Sequence, residues 1–350
     1  MNMNPFLSVI IPVYNEEKYV VFAVKSILEQ PCRDLEIILL NDGSKDNSAS
    51  VCKKLAESDS RIKFADKENT GVSDTRNTGI DLSSGSFIAF LDSDDVWSKD
   101  VYTEKLKNDI IASKCDIVSF AYNCSYEDVN NVYQTTWPEN PGTGHERQGD
   151  KNVDCIYTPF CTSWYSKELI IDKNVYFKKG KRMYEDELFK RSILYFAKKV
   201  YVVNKEVPPL FTYRNNPHSV CHTSAVRKDA YNYLDAFYEL QEFYENCYVK
   251  ENIDKNYYNA QQGLLFLRVL NMHCDIYSFD KWEKTFIDKN VLQTFKTEIE
   301  NGLSVPNDTM MRINKVLSNP KKYYYKKKTE LQLKNIRRHI YRFYSQKIRK

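Results

Sequence analysis

Apolar residues in this chain come in short blocks that alternate with segments of helical period. Leu7–Tyr14 is an almost unbroken apolar run, long enough for one buried strand, and Pro12 marks its end because proline cannot donate to a central ladder. Glu16–Gln30 places Tyr19, Val20, Ala23, Val24, Ile27 and Leu28 at helical spacing. Leu35–Leu40 predicts a second buried strand, stopped by the turn residues Asn41-Asp-Gly-Ser44. A helix over Asp46–Asp59, a strand over Ile62–Ala65 and a helix over Gly71–Leu82 follow. Phe87–Leu91 is the next buried strand, then a helix near Tyr102–Ser113 and a strand over Asp116–Ala121. Such alternation with short connections predicts an α/β fold, with a mostly parallel sheet flanked by helices on both faces.

The pattern changes after residue 122. Residues 123–153 are polar and turn-rich and read as an excursion or hairpin. Helices are expected over Thr162–Lys173 and Glu185–Ala197, and strands over Val200–Val203 and Leu210–Tyr213. From Arg227 to about residue 300 the period is helical. The expected organisation is a domain over 1–225, a helical region over 226–320 and a tail over 321–350. Within the first domain, residues 1–120 form one half and 121–225 the other.

Three predicted strand ends carry polar groups: Pro12-Val-Tyr-Asn-Glu16, Asn41-Asp-Gly-Ser44 and Asp92-Ser-Asp-Asp95. Parallel topology puts all three on one edge of the sheet, where open α/β sheets bind ligands. Converging there, Asp42, Asp92 and Asp94 would repel one another, and a bound cation would offset the repulsion. Asp-x-Asp offers hard oxygen ligands to Mn2+ or Mg2+. The dinucleotide fingerprint Gly-x-Gly-x-x-Gly and the Gly-x4-Gly-Lys-Ser/Thr phosphate loop are both missing, which removes the usual support for an NAD or ATP site.

Five ordered motifs carry a resemblance. They are Ser8–Asn15, Asn41–Ser44, Thr70–Gly79 (with Thr75-Arg76-Asn77), Phe90–Asp95 and Tyr184–Glu187. Together they resemble the family 2 glycosyltransferases of GT-A, Rossmann-like fold, over roughly residues 6–220. The resemblance implies an inverting hexosyltransferase. It would move a single sugar from a nucleotide-diphospho-sugar, such as a UDP-sugar, to a glycan or lipid-linked acceptor in surface polysaccharide synthesis. The membrane spans and Gln-x-x-Arg-Trp of processive members are missing here.

By the same resemblance Asp186 is the catalytic base on the acceptor hydroxyl. Pro12, Tyr14, Glu16, Asp42, Arg76, Asp92 and Ser93 are donor-binding, Asp42 reading the N3–H of uracil and Arg76 meeting the pyrophosphate. Asp94 is the metal ligand, with His218 or His222 as candidates to complete the shell. Trp164 and Glu185 line the acceptor site. Trp97 is expected in the core, Asp95 as a helix cap, and Glu187 with Arg191 as a surface pair. Two rival readings remain at this point. Asp92-Ser-Asp-Asp-Val96 matches the Asp-x-Asp-x-Thr/Val of haloacid-dehalogenase-like phosphatases, with Asp92 as nucleophile. A non-catalytic sugar- or lipid-binding protein is the other.

Charge and thiols refine the picture. Residues 321–350 hold 12 Lys and Arg against one acid, a net +11 in a chain of +4, so residues 1–320 carry −7. A tail that mixes basic and aromatic residues suits an anionic membrane surface better than nucleic acid, and none of the latter is expected as partner. Nine cysteines without a Cys-x-x-Cys pair indicate neither a disulfide framework nor a zinc ribbon. No run approaches a membrane span. A cytoplasmic, peripherally membrane-bound protein is the expectation.

Overall fold

A computed structural model divides the chain into two compact units, residues 1–219 and 220–350. It describes residues 4–124, 159–180, 185–203 and 206–213 of the first, with two short strands at 134–136 and 144–146. Of the second it describes chiefly 279–286 and 309–330. Among the described residues no helix is long and apolar enough to cross a membrane.

The first unit is built on an eight-stranded sheet. Its strands are β1 (Leu7–Val13), β2 (Leu35–Asp42), β3 (Ile62–Lys67), β4 (Phe87–Phe90), β6 (Ile117–Ser119), β9 (Gly144–Glu146), β10 (Ser163–Ser166) and β11 (Lys199–Val202). Their order is β3-β2-β1-β4-β10-β6-β11-β9. The first four run parallel, in a register that pairs Leu7 with both Leu35 and Phe87. Strand β2 is buried along its whole length and β1 along nearly all of it, which explains their unbroken apolar character. A smaller sheet joins β5 (Val96–Trp97), β12 (Phe211–Tyr213), β7 (Tyr122–Cys124) and β8 (Gln134–Thr136).

The expected helices form as α1 (Val20–Leu28), α2 (Ser48–Ser58), α3 (Val72–Leu82), α4 (Glu104–Ser113) and α6 (Glu185–Phe196). Helix α1 buries Val20, Ala23, Val24 and Ile27, the stripe read from the sequence. Thr103 caps α4 by accepting from the Leu106 amide, one of the donors every helix start leaves without a partner.

One expectation fails. Thr162–Lys173 is not a single helix. A 3-10 turn at Phe160–Thr162 leads into strand β10, and only Lys167–Asp172 (α5) is helical. Strand β10 inserts antiparallel between β4 and β6, pairing Trp164 with Ala89 on one side and Val118 on the other. A short strand buried on both faces shows no alternation, and four residues cannot be told from helix by period.

The far edge of the sheet is tied by a buried carboxylate. Glu36 accepts from Ser8 Oγ at 2.6 Å, from the Ser84 amide and hydroxyl, and pairs with Lys63 at 2.7 Å. Gly85 completes the join. Its amide donates to Ser8 Oγ at 2.8 Å, and a Cβ there would stand 2.7 Å from the Ser8 nitrogen. Burial opposes the charge of Glu36, but Lys63, Ser8 and Ser84 outweigh it and hold the carboxyl below its usual range.

Replacing Glu36 with Ala strands the buried Ser8 hydroxyl and the Ser84 amide, and should cost about 2–3 kcal/mol in urea unfolding at pH 7. A carboxyl depressed on folding stabilises fully above its unfolded value of 4.5 and loses that effect as pH falls through the folded one. The gap between wild type and Glu36→Ala should therefore close on acidification.

Candidate active site

Strand order β3-β2-β1-β4 makes the chain leave β1 toward one side of the sheet and return on the other. The carboxyl ends of β1 and β4 therefore flank a crevice at a topological switch point. Pro12 lies near the end of β1, and beyond it Tyr14 stands 45% exposed. Asn15 takes a left-handed turn at φ 57°, a conformation its short polar side chain tolerates. This turn is fastened to the loop after β2. The Asn15 amide donates to Ser44 Oγ at 3.0 Å, Lys45 N donates to Asn15 Oδ1 at 2.7 Å, and Glu16 N donates to Ser48 Oγ at 2.9 Å.

Asp42, at the end of β2, is fastened in turn to the loop after β3. Its Oδ1 accepts from Lys67 Nζ and the Thr70 amide, and its Oδ2 from the Gly71 amide at 3.0 Å. Gly43, at φ 65°, lets the two loops touch, since a Cβ there would lie 2.7 Å from the Asn69 nitrogen. Asp42 thus does not add an uncompensated charge beside Asp92. Lys67 neutralises it, and β1 lies between the two strands, two spacings or about 10 Å of backbone.

At the end of β4 the Asp95 amide donates to the Asp92 carbonyl at 3.0 Å, closing a tight turn. Ser93 and Asp95 are buried by this turn, while Asp92 and Asp94 remain partly exposed. The partly exposed acids are therefore Asp92 and Asp94, the two carboxylates of Asp-x-Asp. Their oxygen donors suit a hard divalent cation held by one or two carboxylates together with substrate phosphates. Among the described residues no three His, Cys, Asp or Glu side chains form a metal-holding group. His218 and His222 lie outside the described residues.

Arg76 occupies the centre. It is 4% exposed, donates through Nη2 to Asp92 Oδ1 at 3.0 Å, and through Nη1 to Glu185 Oε1 at 2.8 Å. Its guanidinium carbon lies 4.5 Å from the Phe160 ring centroid and 5.3 Å from that of Phe177. Burial disfavours the charge, but Asp92 and Glu185 more than compensate and keep the guanidinium protonated. The sequence suggested a pyrophosphate contact for Arg76. Its fork spans two carboxylates, and so joins the turn after β4 to the start of α6. The next residue, Asn77, exchanges two 2.8 Å hydrogen bonds with the Phe177 backbone, which fixes the ring under Arg76. One turn of α3 thus supplies both the cation and the strut for its aromatic shelf.

Helix α6 opens with Glu185, Asp186 and Glu187 in its first turn, where the helix dipole favours negative charge. Glu185 is held by Arg76. Asp186 is partly buried and accepts from the Glu187 amide at 2.8 Å. Burial, with Glu185 and Glu187 close by, pushes the Asp186 carboxyl up to about 6, while Arg76 pulls it down. Such a group is ionised at neutral pH yet basic enough to accept a proton. Glu187 and Arg191 do pair, at 2.7 Å, but Arg191 is buried rather than on the surface. Lys190 is buried beside them, and burial pushes it down to about 7.

Trp164 is placed elsewhere. It is wholly buried, stacked on Trp97 at 5.6 Å and touching Tyr102 and Phe120. Its ring therefore offers no face to an acceptor, and core packing accounts for it. Trp97 is core as expected. Lys67 and Lys190 were not singled out from the sequence, since a lysine in a loop or helix carries no motif.

A family profile described as Glycosyl transferase family 2 matches residues 8–172. The chain is 30% identical over 231 residues to the glycosyltransferase GlyG of Streptococcus pneumoniae, covering 63% of this chain and 74% of that protein. It is 29% identical to the minor teichoic acid biosynthesis protein GgaB of Bacillus subtilis, over 91% of this chain and 34% of GgaB. Among other curated relatives the chain spans 18% of one and 63% of another. The fold resembles that of Staphylococcus aureus TarS residues 1–349, solved with UDP-GlcNAc. The TM-score is 0.53 at 19% identity, over 91% of this chain and 92% of that one.

Arg76→Lys keeps the charge but cannot span both carboxylates. It should lower unfolding free energy by about 2 kcal/mol in urea titration, the cost of one buried polar group left unpaired.

Proposed function

The chain belongs to glycosyl transferase family 2, and from that premise we propose that it moves a single sugar from a UDP-sugar to an acceptor hydroxyl, with inversion. The observation that carries this reading is the Arg76 bridge. It ties Asp92, in the turn after β4, to Glu185 in the first turn of α6, which supports Asp186 as the base beside the donor-side acids. UDP-GlcNAc bound to TarS supports the donor class, and GgaB's role in minor teichoic acid biosynthesis supports a glycan or lipid-linked polymer as acceptor.

In this mechanism the Asp186 carboxylate takes the proton of the acceptor hydroxyl as its oxygen attacks the anomeric carbon. The nucleoside diphosphate departs from the opposite face, so a single displacement inverts the centre. Pro12, Tyr14, Glu16 and Asp42 line the interlocked rim that would receive the nucleoside, and Ser93 supports the turn that presents Asp92. The remaining lone pair of Asp42 Oδ2 is available to the uracil N3–H. Asp94, with Asp92, would hold Mn2+ or Mg2+. Such a cation stabilises negative charge on the departing diphosphate. Glu185 acts through Arg76 to fix the helix start. Residues 1–120 serve the donor and 121–225 the acceptor. A phosphatase reading would need Asp92 as a nucleophile, but one of its oxygens is taken by Arg76, and family membership favours transfer.

Asp186→Asn should retain UDP binding by calorimetry and lose at least about 100-fold in transfer, the usual worth of general base catalysis. Wild-type kcat/KM should fall as pH drops through about 6, because protonation removes the base. Undiminished transfer by Asp186→Asn would remove it from this role. Asp94→Ala should weaken metal-dependent donor binding while leaving the fold intact by circular dichroism.

A further inference from the structure

The basic segment begins as a packed helix, not as a loose tail. In the second unit, α7 (Phe279–Phe286) and α8 (Thr309–Ser318) are followed by a helix over 320–330. Asn319 caps that last helix, its Oδ1 accepting from the Lys322 amide at 2.9 Å, and Pro320 takes the first helical position. Tyr324, 1% exposed, anchors it, with its ring 5.5 Å from both Trp282 and Phe279. At 3.6 residues per turn, Lys322, Tyr323, Tyr325, Lys326, Thr329 and Glu330 then fall on the half turned away from Tyr324. All but Tyr323 are exposed; Tyr325, 52% exposed, lies at the margin with its ring 6.2 Å from that of Phe279, and Glu330 pairs with Lys327 at 3.0 Å.

We propose that the outer face of helix 320–330 is a docking surface for an anionic lipid bilayer. Lysines and a tyrosine share that face, and a tyrosine ring suits the headgroup level while lysines meet lipid phosphates. The helix is a convex element with its anchor on the opposite side, the form of an interfacial helix. Nucleic acid is bound in basic grooves with stacked platforms, which a single convex face does not provide. The sequence continues the same chemistry. Residues 331–350 add seven Lys and Arg and no acid, with Tyr341, Phe343 and Tyr344 among them. Residues 1–320 carry −7, so the net positive charge of the chain comes from this segment. The proposal does not depend on the transferase reading.

Full-length protein and the double variant Lys322→Gln/Lys326→Gln would be sedimented at physiological salt with phosphatidylcholine vesicles, with and without phosphatidylglycerol. Thermal melting would verify the variant's fold. Wild type should bind only the anionic vesicles. The variant should bind them roughly thirtyfold more weakly, at about 1 kcal/mol per lysine and 1.4 kcal/mol per tenfold. Tyr325→Ser should also weaken binding, with UDP-sugar hydrolysis unchanged in all three proteins. Equal binding by wild type and the lysine variant, equal binding to neutral vesicles, or tighter binding of wild type to a single-stranded oligonucleotide than to anionic vesicles would overturn the proposal.

Discussion

A buried arginine is costly unless its charge and its donors are met. Arg76 has its charge met by reaching in two directions at once, to Asp92 just past β4 and to Glu185 at the start of α6, while its Nε is buried without a partner. These positions lie 93 residues apart in sequence, and no backbone pairing joins them. The guanidinium therefore sets where the helix begins relative to the sheet edge. Phe160 and Phe177 pack against it from one side, and both also pack on Phe90. Desolvation by these rings strengthens the ion pairs. Burial of Asp186, with Glu185 and Glu187 close by, lifts its carboxyl to about 6 against the pull of Arg76.

The rest of the edge is made rigid by hydrogen bonds between loops instead of by packing. Asn15 and Glu16 bind the loop after β2, and Asp42 binds the loop after β3. Each loop is short and follows a strand fixed in the parallel register. A donor entering the crevice between β1 and β4 would meet preformed walls, so little ordering entropy opposes binding.

Much of this was legible in the sequence because the information was local. Apolar blocks gave the parallel strands, and turn chemistry gave the edge on which Asp42, Asp92 and Asp94 fall. The motif order gave the family. What was not legible depended on pairing across the chain. Strand β10 has only four residues and no period, so Trp164 was read as helical and as lining the acceptor site when it lies in the core. The pairing of Arg76 with Glu185, 109 residues on, left no local signal. Lys67 neutralises Asp42 across 25 residues and leaves no local signal. Burial of Arg191 likewise depends on what packs over α6.

The reaction proposed for the Arg76-held cluster is a single displacement with Asp186 opposite the leaving group. Following UDP-sugar hydrolysis by proton NMR in the first minutes tests this directly, because water then takes the acceptor's place. An α-linked donor should release the β-anomer first. Initial release of the α-anomer would mean a retained configuration and would contradict the account.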